Sequence, residues 1–130
     1  MVEGSSSKDF AHVKRMMYRE PEILNTLLDK LTESSVGYLN AQIEAGAQAV
    51  QIFDTWAGLL TATEYREWVL PRHQEIAQRV NRDQAPLILY INNGAHLLDD
   101  SVESGVDVLS LSSSTSRCKR SDYSERCCDT

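Results

Sequence analysis

Two short polar segments of this 130-residue chain carry side chains that could bind a ligand or take part in chemistry. Residues 53–58, FDTWAG, offer two aromatic rings, a carboxylate and a hydroxyl within six positions. Residues 92–96, NNGAH, offer two amides and an imidazole. Such polar groups can orient a substrate while the rings contact its apolar part. The pattern by itself favours a purely structural interpretation, in which the aromatic residues belong to the core and the polar residues between them form a turn.

The sequence gives little support for metal or nucleophilic chemistry. His96 has no further metal ligand at helical spacing, so we expect it to be structural. Cys127 and Cys128 are adjacent, unlike the C-x-x-C pairs of zinc and thioredoxin-like sites. The chain also has no glycine-rich phosphate loop and no nucleophile elbow. We therefore predict no metal and assign no catalytic residue.

The elements that would position these segments alternate between helices and strands. Residues 8–18 predict a short helix with Ser6 or Ser7 as a possible N-cap. Apolar positions three and four residues apart predict a second helix from Pro21 to about Ala45. Thr61 and Glu64 have capping-box spacing and open a helix towards Val80. Pro71 should kink or divide that helix. Short apolar runs predict strands at 49–53, 87–91 and 106–111, and a short helix at about 95–103.

This alternation predicts an α/β fold with parallel strands joined by right-handed crossovers. Both a doubly wound sheet and a barrel of eight strands and helices fit the order. Three strands would be under half of a barrel of about 250 residues. In either architecture ligands bind beyond the carboxyl ends of the strands. That rule selects residues 53–58, residues 92–96 and whatever follows Leu111.

Composition and charge exclude several classes of protein. The net charge of −6 argues against binding nucleic acid by phosphate neutralisation. No apolar run approaches the roughly 18 residues of a membrane span, and we expect no secretory signal. All three cysteines lie in the serine-rich residues 112–130. We predict a cytoplasmic protein with a folded part at 1–111 and a weakly structured tail at 112–130.

Six blocks of the sequence together resemble the uroporphyrinogen decarboxylase family over residues 2–111. They are VEGSSSKDF, KRMMYREPEILNTLLDKLT, YLNAQIEAGAQAVQIFDTWAG, YREWVLPRHQEI, LILYINNGAHLL and SGVDVLSL, in family order. The resemblance implies part of a (β/α)8 TIM barrel, about three parallel strands with flanking helices. It also implies a homodimer that removes carbon dioxide from the acetate side chains of uroporphyrinogen, a tetrapyrrole. The family uses no metal and no organic cofactor in this step of haem synthesis.

The resemblance assigns substrate contacts to two residues. Thr55 matches the family's Ser/Thr that hydrogen-bonds a substrate carboxylate, and Phe53 matches the aromatic residue lining the cleft. Gly58 matches the turn glycine. The family's tyrosine before V-E-G, its arginine pair, its pyrrole-gathering aspartate and its late histidine have no counterpart in this sequence. We therefore expect a fragment that is inactive by itself, with residues 112–130 read in a shifted frame.

A barrel fragment should also have unsatisfied surfaces. We expect Ile52, Leu89 and Leu109 to face the barrel interior and to lose partners there. Apolar surface of this kind, together with open sheet edges, predicts a marginal monomer that associates or depends on a partner.

Two other functions stay open at this point. One is a fragment of a zinc-dependent corrinoid or thiol methyltransferase of the same superfamily. Such relatives bind zinc through His-x-Cys and a later Cys, whereas His96 is followed by two leucines and residues 1–111 contain no cysteine. The other is a non-enzymatic interaction fragment that docks onto an intact decarboxylase subunit.

Overall fold

A computed structural model describes residues 10–112 of the chain. Its sheet has three parallel strands, β1 (Val50–Asp54), β2 (Leu87–Ile91) and β3 (Val108–Leu111), in the order β1-β2-β3. The register pairs Val50 with Leu87 and Ile88 with Val108. The three predicted parallel strands are confirmed, although β3 begins two residues later than expected.

Two helices precede the sheet, as the sequence predicts. Helix α1 spans Ala11–Arg19, and helix α2 spans Pro21–Glu44 with its proline in the first turn. Proline is suited to that position because the first turn leaves its N–H groups without partners inside the helix. Met17 of α1 and Leu24 of α2 are buried in one small apolar cluster, which joins the two helices.

The helical segment between β1 and β2 is built as its capping box and proline predict. Thr61 Oγ1 accepts a hydrogen bond from Glu64 N at 3.2 Å, and Glu64 Oε2 accepts one from Thr61 N at 2.8 Å. Helix α3 (Ala62–Glu64) continues into a π-helical turn at Tyr65–Val69 and then into α4 (Leu70–Arg79). The predicted interruption is thus a π turn that ends two residues before Pro71, whose nitrogen cannot donate to the preceding turn.

The connections after the strands contain short helical turns. A 3₁₀ turn at Ala57–Leu59 follows β1, and another at Ala95–Leu97 follows β2 and leads into α5 (Leu98–Val102). The single helix expected at 95–103 is therefore divided in two. Gly105 closes this connection with a φ of 75°, a conformation that favours glycine.

One face of the sheet packs against the helices. Val50, Leu87 and Leu89 are buried there against apolar side chains of the helical segments. Ile52 and Leu109 pack against the same clusters. The prediction that Ile52, Leu89 and Leu109 lack partners is therefore wrong. Both faces of these strands carry apolar residues, so the sequence could not fix which set meets the helices.

The opposite face of the sheet is only partly covered within residues 10–112. Phe53 is 68 % exposed, and the other side chains of this face are of intermediate exposure. They are Gln51, Ile88, Tyr90, Val108 and Ser110. We refer to these six residues as the open face.

Within the part of the chain that the structure describes, no helix combines the length and apolarity needed to cross a membrane. Apart from Ser112, the predicted tail lies outside the described residues.

Candidate functional site

The three strand ends meet at one edge of the sheet. The backbone N–H of Asn92 donates to Asp54 O at 3.4 Å, which joins the turn after β2 to the end of β1. Asn93 N donates to Ser112 Oγ at 3.3 Å, which joins the same turn to the residue after β3. The turns at residues 53–58 and 92–96, which the strand-end rule selects, thus lie next to each other.

Gly58 allows the first two of these segments to touch. A Cβ atom at this position would lie 2.1 Å from Asn92 O and 3.0 Å from the backbone of Asn93. Asn93 itself has a φ of 53°, in the left-handed region that asparagine tolerates better than most residues. Backbone contact between the turns therefore requires a residue without a side chain at position 58.

Asp54 shapes the turn that follows β1. Its Oδ1 atom accepts a hydrogen bond from Ala57 N at 2.9 Å, so the carboxylate bridges three residues of the turn. An aspartate side chain that accepts from a backbone N–H a few residues further on stabilises a tight turn. The Asp54 side chain is 23 % exposed, while Ala57 is buried. The turn is thus anchored at both ends, with Thr55 and Trp56 between them.

The two residues assigned to substrate binding lie on the accessible side of this edge. Thr55 is exposed, and its hydroxyl has no hydrogen-bond partner among residues 10–112. The ring centroids of Phe53 and Tyr90 are 5.3 Å apart, and the planes of the two rings form an angle of 51°. Trp56 is 58 % exposed, and its ring packs against that of Phe10 with the two centroids 4.9 Å apart. Thr55 therefore has exposed aromatic rings two residues before it and directly after it.

A buried polar pair that sequence reasoning missed lies behind Asp54. His73 Nε2 lies 3.3 Å from Asp54 Oδ2, and its Nδ1 lies 3.1 Å from Tyr65 Oη. His73 and Tyr65 are 4 % and 0 % exposed. Burial raises the pKa of Tyr65 well above its ordinary value, and the negative charge of Asp54 adds to the effect. Tyr65 therefore stays protonated and can donate to Nδ1, which leaves a hydrogen on Nε2 facing Asp54.

His96 takes a different position from a metal ligand. Its Nε2 atom lies 2.8 Å from the carbonyl oxygen of Leu60, so it ties the turn after β2 to the residue before Thr61, where the helical segment between β1 and β2 begins. Within residues 10–112 there is no group of three or more His, Cys, Asp and Glu side chains that could hold a metal. The three cysteines lie outside the described residues.

One cation reaches the same region from α1. Lys14 Nζ donates to the carbonyl oxygen of Leu59 at 3.5 Å, at the end of the 3₁₀ turn after β1. Among residues 10–112, this edge of the sheet offers a hydroxyl without a hydrogen-bond partner, exposed rings and a lysine that reaches the 3₁₀ turn after β1. These groups suit binding of an anionic molecule with a large apolar surface.

Comparison with known proteins places the sequence among relatives of one family. The sequence model of a family described as uroporphyrinogen decarboxylase (URO-D) matches residues 1–128. A protein named uroporphyrinogen decarboxylase from Alcanivorax borkumensis is 50% identical over 115 residues, covering 85% of this chain and 33% of that protein. Another of that name from Geotalea daltonii is 44% identical over 122 residues, covering 94% of this chain and 36% of that protein. The chain thus spans about a third of the length of the curated relatives it matches.

Proposed function

Because the chain belongs to the uroporphyrinogen decarboxylase family, as its sequence blocks predict, we propose that residues 53–58 bind part of the substrate in such an enzyme. The proposed reaction converts each acetate side chain of uroporphyrinogen to a methyl group. The carbon–carbon bond to the carboxylate breaks, carbon dioxide leaves, and a proton replaces it on the side-chain carbon. The protein's part is to hold the polyanionic substrate and to orient its carboxylates, without a cofactor.

The observation that carries this proposal is the exposed Thr55 hydroxyl, which has no hydrogen-bond partner in the described part of the chain, on an anchored turn that begins beside Phe53. A hydroxyl that donates to a carboxylate makes a charge-assisted hydrogen bond, which is stronger than a neutral one. The Phe53 ring extends the surface that a tetrapyrrole's apolar part can contact. In this proposal the Thr55 hydroxyl donates a hydrogen bond to a substrate carboxylate, and the Phe53 ring lines the cleft.

The fold supports placing this site inside a (β/α)8 barrel. The strand order follows the chain, and helices α2 and α4 contribute to the apolar clusters on one face of the sheet. Consecutive parallel strands with helices on one side are the arrangement found around such a barrel. We assign the open face to the barrel interior, in a cytoplasmic homodimer.

For the 130-residue chain alone we propose binding without turnover. The sequence lacks counterparts of the family's arginine pair and of the aspartate that gathers the pyrrole N–H groups. Neither alternative function gains a specific observation: the described residues hold no zinc-ligand cluster, and the matched relatives cited above are named decarboxylases.

A binding titration with uroporphyrin I, a stable oxidised analogue, tests the proposal. We expect the Thr55→Val variant to bind about tenfold more weakly than wild type, and Thr55→Ser to bind as wild type does. Thr26→Val is a matched control, because Thr26 is an exposed threonine on α2 whose hydroxyl bonds within the helix. Wild-type protein that binds no uroporphyrin, or equal binding by Thr55→Val, would contradict the proposal.

An activity assay accompanies the titration. Purified chain is incubated with uroporphyrinogen, and coproporphyrinogen is measured after oxidation by separation of the porphyrins. We expect none above the background without protein. Turnover by the isolated chain would show that the proposed division between binding and catalysis is wrong.

A further inference from the structure

We propose that His73 is a positioning residue for the substrate-binding turn and acts on Thr55 through Asp54. The inference rests on the proposed function for the meaning of the turn, but its geometry stands independently. His73 itself is buried, with 4 % of its surface exposed. It reaches the carboxylate that holds the turn, from the helix behind the sheet.

The two oxygens of Asp54 divide between the turn and the helix. Oδ1 accepts from Ala57 N at 2.9 Å, and Oδ2 lies 3.3 Å from His73 Nε2. Any movement of the carboxylate therefore changes both contacts together. Thr55 lies between Asp54 and Ala57 in the chain, so the direction of its hydroxyl depends on how this bridge is held.

The burial of His73 indicates that its ring nitrogens need polar partners inside the protein. Its side chain is 5 % exposed, and burying a polar ring without partners is costly. Within residues 10–112 its polar partners are Tyr65 Oη at one ring nitrogen and Asp54 at the other. The Tyr65 hydroxyl fixes the ring from behind, so that the second nitrogen faces the carboxylate. A simple space-filling role would be served by an apolar residue on this helix face.

Amide hydrogen exchange at Ala57 tests the inference without any ligand. In the His73→Leu variant we expect the Ala57 amide to exchange about tenfold faster than in wild type, because Asp54 Oδ1 is no longer held. The amide of Val80, bonded to Ile76 O in α4, serves as the internal reference and should change by less than about threefold.

Two further variants separate positioning from general loss of stability. His73→Gln keeps a side-chain donor and should give an intermediate rate at Ala57. His12→Leu is the matched control, since His12 is an exposed histidine on α1, and it should leave both amides unchanged. Equal acceleration at Ala57 and Val80 in His73→Leu and His73→Gln would indicate a purely structural role and overturn the inference. An unchanged Ala57 rate would overturn it as well.

A double-mutant cycle then links His73 to Thr55. We expect His73→Leu to weaken uroporphyrin binding about fivefold in the wild-type background and to have little effect in Thr55→Val. Additive losses would contradict action through Thr55. If wild-type chain bound no uroporphyrin, the proposed function would fail, while exchange at Ala57 would still decide whether His73 holds the turn.

Discussion

Tyr65 Oη lies 3.1 Å from His73 Nδ1, although eight residues separate the two along one helical segment. In an uninterrupted α-helix, side chains eight residues apart point about 80° away from each other. The π turn at Tyr65–Val69 holds one more residue than an α-helical turn, because its bonds run to the fifth residue instead of the fourth. That extra residue brings Tyr65 and His73 onto one face. The irregularity beside Pro71 thus builds the contact that supports Asp54.

Removing the Tyr65 hydroxyl should destabilise the protein. Tyr65→Phe leaves the ring in place but deprives buried His73 of a partner at Nδ1, so we expect a loss of about 1–2 kcal/mol in the free energy of unfolding. Urea denaturation followed by circular dichroism measures the change. Tyr38→Phe is the control, because Tyr38 is 67 % exposed on α2, and its stability should stay within about 0.5 kcal/mol of wild type. Equal stability of Tyr65→Phe and wild type would show that this hydrogen bond contributes nothing.

The sequence predicts those features that depend on neighbouring residues. The capping box at Thr61 and Glu64 is confirmed. It could be predicted because both of its hydrogen bonds join residues within a stretch of four. The five-residue apolar run Leu87–Ile91 is likewise confirmed as a strand because its length suits a strand better than a helix.

Features that depend on distant packing were not predictable in the same way. The sequence predicts the wrong face for Leu89. Its neighbour Ile88 is equally apolar, so the pattern does not show which of the two side chains faces the helices. The contact of His73 with Asp54 joins residues on a helix and a strand end, and it also depends on the position of a π turn. A useful signal did exist in the sequence: a polar histidine on the apolar face of a helix that follows a candidate site.

Substitution of Gly58 should disrupt the meeting of the two turns. In Gly58→Ala the new Cβ would lie 2.1 Å from Asn92 O, a backbone atom that cannot rotate away. We expect a loss of more than about 2 kcal/mol in the free energy of unfolding. In Gly37→Ala, within α2, nothing lies within 4 Å of the new Cβ, and stability should rise by about 0.5–1 kcal/mol. Both are measured by thermal and urea denaturation, and a tolerated Gly58→Ala would refute the close approach.

The capping box should make stability depend on acid. The backbone hydrogen bond from Thr61 lowers the pKa of Glu64, against the opposing effect of burial. A lowered folded pKa means that the ionised carboxylate stabilises the protein at pH values above the unfolded pKa. This contribution is lost as pH falls through the folded pKa. The stability difference between wild type and Glu64→Gln should therefore be largest near neutral pH and shrink below pH of about 4. A difference that stays constant from neutral pH to pH of about 3 would contradict this.

The orientation of β2 predicts that truncating adjacent side chains of this strand reduces the free energy of unfolding by unequal amounts. Leu89 is 0 % exposed against the helices, so Leu89→Ala should cost about 2–5 kcal/mol. Ile88 belongs to the open face and is only partly buried, so Ile88→Ala should cost about 1 kcal/mol. Urea denaturation of both variants measures the difference. The reverse order of costs would place the open face on the other side of the sheet.

The open face should drive association of the chain in solution. It presents Phe53, Ile88 and Val108 without a covering helix from residues 10–112, and exposed apolar surface favours contacts between molecules. We expect the sedimentation coefficient of wild-type protein to rise with concentration and that of the double variant Ile88→Thr, Val108→Thr to vary less. Ile23→Thr is the matched control, since Ile23 is 58 % exposed on α2, and it should sediment as wild type does. A wild-type chain that sediments as a monomer at all concentrations and unfolds cooperatively would exclude association through this face.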